Sequence, residues 1–379
     1  MIDFDFTTVI DRRDTGSWKY ESFAPDVLPV WIADMDFASP PCVLDALRAA
    51  IDHGVFGYTK PRDQLVEIIL DRLATRHKWD VNAKSLVFLP GLVTALNLAT
   101  ALLEPDAEVL IPTPAYPPFH HCAPNQGRKT VTVDMTRGER WEMDFDALDA
   151  AVTPQTGMLV LCNPQNPTGR AYTLAELQQV AEFVTRHDLL LVSDEIHCDL
   201  VLDPAATHTS IAAAIPEIAD RTITLLAASK TFNIAGLGCS FAVVENGALR
   251  KRFEPTHDGL VPQVNQLGYV ATEAGYAHGE PWRVALIEQL RTNRDRVMET
   301  VAGLDGVTMI EPEATYLAWI DCRELGLDDP AKHFVRHKLA PGFGSFYGDN
   351  QSVRINFATP PANLDEVLAR FTTGVLAAR

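Results

Sequence analysis

The sequence has no paired cysteines, no long apolar run and no surplus of basic residues. Its six cysteines, Cys42, Cys122, Cys162, Cys198, Cys239 and Cys322, form no C-x-x-C pair. That spacing argues against a zinc site and against a disulfide framework, and it fits small buried side chains in a reducing compartment. His120, His121 and Cys122 are adjacent, but residues next to one another in sequence do not easily converge on one ion, so no metal is expected. No stretch approaches the ~20 apolar residues that span a bilayer. The segment MIDFDFTTVIDRRD resembles neither a signal peptide nor a transit sequence, and a cytoplasmic protein is expected. Lys and Arg number 32 against 50 Asp and Glu, a net charge of −18. Nucleic acids and anionic membranes are bound by clustered basic residues, so neither is an expected partner. The G-x-G at Gly236-Leu237-Gly238 precedes an expected strand rather than opening a helix, which argues against a dinucleotide site.

What remains is an ordinary globular composition over 379 residues, long enough that two lobes are expected. Short apolar runs at Ser85–Leu89, Glu108–Ile111, Lys129–Val133, Met158–Cys162, Leu189–Ser193, Thr222–Ala227 and Ser240–Val244 read as strands. Leu92–Leu103, Phe145–Val152 and Leu174–Arg186 between them have helical periodicity. Such alternation predicts an α/β fold: a mostly parallel, helix-covered sheet in a large domain over 46–280. Beyond residue 280 the pattern changes. A long helix at Trp282–Leu304 is followed by strands near Val307–Ile310 and Tyr316–Asp321. A helix near Ala331–Leu339, a strand at Val353–Phe357 and a helix at Leu364–Leu376 complete an α+β lobe. The irregular, Pro-rich residues 1–45 are expected to pack on it, giving a small domain of 1–45 and 281–379.

Ligands of open α/β sheets bind beyond the carboxyl ends of the strands, and four segments fall there. Pro90-Gly91-Leu92-Val93-Thr94 joins a strand to a helix start, where free N–H groups attract phosphate. Asn163-Pro164-Gln165-Asn166-Pro167-Thr168-Gly169 forces an irregular turn that can aim side-chain amides at a ligand. In Ser193-Asp194-Glu195-Ile196-His197 a buried strand ends in acids, and a carboxylate there can pair with a cationic ring nitrogen. Ser229-Lys230-Thr231-Phe232-Asn233 places a Lys at a buried strand end. Lys is seldom buried unpaired, and a desolvated one is a nucleophile for a carbonyl. Taken singly, each also reads as a turn, a capped strand end or a surface Lys.

In this order and over the full chain, the four segments resemble the fold-type I pyridoxal 5'-phosphate (PLP) enzymes, the aspartate aminotransferase superfamily (class I/II). The strings WIADMDF (31–37), FGYT (56–59), SDEIHCDL (193–200), SKTFNIAGL (229–237) and VRINFA (353–358) resemble its MalY/PatB-type branch of cystathionine β-lyase-like C–S lyases. The resemblance implies that Lys230 holds PLP as a Schiff base and shuttles the Cα proton, and that Asp194 pairs with the pyridinium nitrogen. It places Asn166 and His197 near the phenolic oxygen and Tyr116 stacked on the ring. Gly91, Leu92, Val93 and Ser229 would meet the phosphate. Tyr58 would reach the phosphate of a neighbouring subunit, making a homodimer with shared active sites, and Arg354 would clamp the substrate carboxylate. Ala227 and Gly238 stand where many members carry a Ser and a phosphate-binding Arg. Ala358-Thr359-Pro360-Pro361 stands where related lyases often have Cys-Pro-Arg.

The implied reaction is α,β-elimination from cystathionine or another cysteine S-conjugate, giving a thiol, pyruvate and ammonia. An aminotransferase needs the same residues and is the alternative. A PLP-binding regulatory protein is a third reading, against which the intact set of Lys230, Asp194, Asn166 and Arg354 counts. The N-terminal segment and the 255–265 loop are expected to set the preferred leaving group.

Overall fold

The computed structural model describes residues 4–254 and 259–378; residues 255–258, part of the loop expected to tune the pocket, lie outside them. Seven strands form one sheet. In spatial order they are Leu86–Leu89, Ser240–Val243, Thr222–Leu226, Leu190–Asp194, Thr156–Cys162, Glu108–Thr113 and Lys129–Asp134. The Ser240–Val243 strand runs antiparallel to both its neighbours, and the other pairs are parallel. The expected mostly parallel α/β sheet is thus present.

Parallel strands covered on both faces read as continuous apolar runs, and the alternation of side chains sorts them to two cores. Val160, Val192, Ile223 and Leu225 pack under the helix Leu92–Ala101 through Leu92, Ala95, Leu96 and Ala99. Leu159, Leu161 and Leu191 face Leu177, Val180, Ala181 and Val184 of the helix Leu174–Arg186. That helix starts where Thr173 and Glu176 form a reciprocal cap, each satisfying one orphan N–H of the first turn.

A second, antiparallel sheet has the order Thr308–Met309, Leu317–Asp321, Ser352–Asn356, Gly342–Phe343. The helices Glu280–Ala302 and Pro361–Ala377 pack with it. The N-terminal segment joins this part of the molecule by backbone pairing. Leu28–Pro29 lies parallel to Leu339–Ala340. Val30 N–H donates to Ala340 O at 2.8 Å, and Asp36 N–H donates to Ala358 O at 2.9 Å. Two buried charges hold the segment's shape: Lys19 Nζ lies 2.9 Å from both oxygens of Asp36. Arg12 adds bonds to Asp34 at 2.6 Å and Asp36 at 2.7 Å.

Three local readings differ from the sequence pattern. The helix expected to reach Leu339 stops at Arg336, because Lys338 turns left-handed (φ 66°) and releases Leu339–Ala340 into the pairing with Leu28–Pro29. The N-terminal stretch is not wholly irregular: a helix begins at Pro41 and runs to His53, with Pro at its first position, where its missing N–H costs nothing. The helix Asp63–His77 buries Leu65, Ile69 and Leu73 at four-residue intervals, a signal that was available in the sequence.

Candidate active site

Three adjacent strands, Thr222–Leu226, Leu190–Asp194 and Thr156–Cys162, end at the same edge of the sheet. Cys162 is paired in register with Asp194, and Asp194 with Leu225. The loops carrying Lys230, His197 and Asn166 therefore leave the sheet side by side. Asp194 is the last residue of its strand and buried. Its Oδ1 accepts from Ile196 N–H at 3.1 Å, and among the described residues no Lys, Arg or His forms an ion pair with it. Desolvation therefore outweighs the Ile196 hydrogen bond and the field of Lys230 and pushes its carboxyl up to about 7.

Lys230 is partly buried, and its Nζ donates to the Ala33 carbonyl oxygen at 2.5 Å. Desolvation, followed by the positive field of Arg354, lowers its pKa to about 8; Asp34 and Asp194 oppose the shift. Arg354 is buried in the strand Ser352–Asn356 of the second sheet. Its Nη1 donates to Asn166 Oδ1 at 2.9 Å and its Nη2 to Trp31 O at 2.6 Å. The guanidinium lies 4.9 Å over the Tyr347 ring, and its buried Nε–H has no partner among the described residues. His197 is buried, with its Nδ1 likewise unpartnered; burial and the nearby cations hold it neutral. Tyr116 precedes the helix Pro117–Asn125 and meets Phe119 edge-to-face. Arg354 and Asp194 both act on its phenol, whose pKa desolvation raises to about 12.

Gly91 caps the helix Leu92–Ala101 without a side chain. The N–H groups of Leu92 and Val93 precede the first intrahelical bond, from Ala95 N–H to Gly91 O, so they point outward as orphan donors. A Cβ placed on Gly91 would meet nothing within 4 Å, so open space adjoins this helix start. Ser229 is buried beside Lys230. Gly238 is left-handed (φ 57°), and a Cβ there would come 3.0 Å from Pro90 O. A side chain there would need both a left-handed backbone and a shift of Pro90.

Lys230, Asp194, Asn166, His197, Tyr116 and Arg354 are thus brought together. Tyr58 is not: it is fully exposed in the segment between the helices Pro41–His53 and Asp63–His77, with Val55 and Phe56 also exposed. Sequence reasoning missed four contributors. These are the Ala33 and Trp31 carbonyls, Tyr316, whose Oη donates to Ala33 O at 3.0 Å, and Tyr347 beneath Arg354. Backbone carbonyls leave no signature in a sequence, whereas the two buried tyrosines, one just before the strand Leu317–Asp321 and one at the end of the short turn Gly344–Tyr347, resemble core residues. Behind the site His77, Cys198 and Asp199 converge within 4.8 Å. Asp199 is already engaged by Arg72, by Arg76 at 3.6 Å and by Thr231 Oγ1 at 3.1 Å. Among the described residues no helix is long and apolar enough to cross a membrane.

The chain is 35% identical to cystathionine beta-lyase PatB of Bacillus subtilis, across 95% of this chain and 97% of that protein. Its fold superposes on the crystal structure of OvoB with a TM-score of 0.96 at 42% identity, covering 98% of this chain and 99% of that one. It superposes on cystalysin from Treponema denticola, whose crystal structure contains pyridoxal 5'-phosphate, with a TM-score of 0.95 at 32% identity over 100% of both chains. Residues 25–371 match the family model described as aminotransferase class I and II, and the chain belongs to that family.

Proposed function

We propose that this protein is a PLP-dependent carbon–sulfur β-lyase acting on L-cystathionine or a related cysteine S-conjugate, with Lys230 as the cofactor lysine. The observation that carries the cofactor reading is the convergence at one sheet edge of Lys230 with its lowered pKa, the buried Asp194, and Arg354 with an Nε–H that has no partner among the described residues. The choice of a lyase over an aminotransferase, which needs the same residues, rests on the likeness to the lyase PatB. The residues fit the cofactor. Among the described residues Asp194 forms no ion pair and His197 Nδ1 has no hydrogen-bond partner, and the helix start at Gly91 offers N–H donors to a phosphate.

PLP, when bound, supplies an electron sink for the charge left at the substrate Cα. Asp194 would hold a proton on the ring nitrogen, and Tyr116 would cover the ring. Arg354, fixed by Asn166, Trp31 O and Tyr347, would bind the substrate carboxylate through its remaining N–H groups and so orient the Cα–H bond toward Lys230. The Lys230 amine, with its pKa lowered toward neutrality, would take the Cα proton as general base. The electron pair left at Cα would form the Cα=Cβ bond as the Cβ–S pair departs on sulfur, which would take up a proton and leave as a thiol. The three-carbon fragment is released and reacts with water to give pyruvate and ammonia.

A homodimer with shared sites belongs to the same proposal. The exposed Val55, Phe56 and Tyr58 leave an apolar stretch for a second copy to cover, and Tyr58 would complete that copy's phosphate site. We further propose the division into a large domain reaching residue 280 and a small domain of the N-terminal segment with 281–379, supported by the pairing of Leu28–Pro29 with Leu339–Ala340; the expected 45/46 boundary would cut the helix Pro41–His53, so it is set before Pro41. Purified enzyme supplied with PLP and L-cystathionine is expected to release pyruvate, ammonia and thiol with no keto acid added. Turnover that requires a keto acid and frees no ammonia would assign the chain to the aminotransferases instead.

A further inference from the structure

Tyr316 lies immediately before the strand Leu317–Asp321 and is fully buried. Its Oη and Lys230 Nζ donate to one and the same oxygen, that of Ala33, at 3.0 and 2.5 Å. Its ring meets His197 edge-to-face with centroids 6.0 Å apart. The strap carrying Ala33 is anchored without it. The Asn233 side chain bonds Met35 N–H at 3.0 Å, Met35 O at 3.1 Å and Phe37 O at 2.8 Å. Asn356 Nδ2 donates to Ile32 O at 2.8 Å and Asp34 O at 2.5 Å. What the Tyr316 hydroxyl alone adds is a second donor on the oxygen that receives the lysine.

A carbonyl oxygen has two lone pairs, and two donors on one acceptor compete for its electron density. We propose that Tyr316 is a positioning residue for Lys230. By occupying one lone pair of the Ala33 carbonyl and fixing its direction, it sets where the unlinked amine rests and how readily that amine loses its proton. The inference rests on the reading of Lys230 as cofactor lysine and base. The charged neighbours are accounted for: Arg354, Asp34 and Asp194 act on Lys230, and Asp34, Arg354 and Tyr116 on Tyr316. The buried His197 faces both residues and is neutral. Burial raises the Tyr316 pKa far above neutrality, so the phenol is a permanent donor.

Tyr316→Phe keeps the ring against His197 and frees the Ala33 lone pair for the lysine ammonium. The acid limb of kcat should then move up by about half a unit to one unit, the size of one hydrogen bond. The KM for the amino acid should stay within about twofold, since Tyr316 lies outside the carboxylate clamp. A readout independent of turnover is the rate at which the cofactor-stripped enzyme regains its yellow colour with added PLP, which requires the neutral amine; its pH profile should move by the same amount. Should the Phe variant fold poorly, 3-fluorotyrosine at position 316 keeps the shape, donates more strongly and should move both profiles down. Profiles that stay in place, or a change confined to KM, overturn the inference. Lys230→Ala tests the underlying reading separately: a variant that still takes up PLP covalently would contradict that reading, whatever Tyr316 does.

Discussion

Arg354 Nη1 donates to Asn166 Oδ1 at 2.9 Å, joining a strand of the small antiparallel sheet to the loop that leaves the large one. The contact fixes a guanidinium from one sheet over the chemistry held by the other. A forked partner for a carboxylate cannot be replaced by a point charge. Arg354→Lys is therefore expected to lower kcat/KM for L-cystathionine by about 10- to 100-fold, the cost of losing charge-assisted hydrogen bonds worth ~1.5–3 kcal/mol. Asn166→Ala should act in the same direction through a misplaced Arg354. Steady-state kinetics of both variants check this.

The Asp194 carboxyl has a pH signature in the cofactor-free protein. Its folded pKa, about 7, lies above its ordinary value of 3.8. A group raised on folding contributes stability that is full below the ordinary pKa and is lost as pH rises through the folded one. Cofactor-free wild type should therefore lose stability relative to Asp194→Asn between about pH 4 and pH 7, and PLP should reverse the loss by supplying a cation. Melting temperatures of both proteins across that range, with and without PLP, are the measurement. In turnover, Asp194→Asn should cost about 10²- to 10³-fold, as the loss of a preorganised charge does elsewhere.

Packing behind the lysine loop is tight at Gly275 and Gly279, both against the Phe232 ring. A Cβ on Gly275, inside the helix Gln266–His278, would lie 2.7 Å from Phe232 Cδ2, two residues after Lys230. Overpacking costs about 1–3 kcal/mol, which outweighs the ~1 kcal/mol that Ala gains over Gly in a helix. Gly275→Ala should lower stability and activity together. Gly303→Ala, whose Cβ would meet nothing closer than 3.5 Å, should do neither. Denaturant unfolding compares the two.

If Tyr58 completes a neighbour's site, two defective chains can repair each other. Tyr58→Ala should weaken PLP binding, and Lys230→Ala should abolish turnover. Mixed and allowed to exchange subunits, they should form hybrids in which one site carries both lesions and the other neither. About a quarter of all sites would then be intact in a random mixture of twofold dimers. Activity that rises on mixing supports shared sites; activity that stays at the sum of the parts does not.

The large sheet and the loops of the candidate site were legible because burial and chemistry coincide at strand ends. Leu190–Asp194 is an apolar run that stops on an acid, and Thr222–Leu226 one that leads to a lysine. The small sheet's contribution was legible only at Arg354. Tyr316, Tyr347 and the Ala33 and Trp31 carbonyls act through positions that only tertiary packing creates, and no local pattern marks them. Ala33 sits in the WIADMDF string, whose sequence says nothing of which carbonyl turns toward Lys230. The strand Leu339–Ala340 was hidden because the left-handed Lys338 ends a helix without a glycine.

The central claim is that Lys230 is the residue to which PLP is linked. Borohydride reduction of the yellow enzyme, followed by proteolysis and mass spectrometry, tests it most directly. The account predicts a pyridoxyl group on the peptide containing Ser229-Lys230-Thr231 and on no other lysine. Reduction that leaves Lys230 unmodified, or that places the label elsewhere, would contradict it.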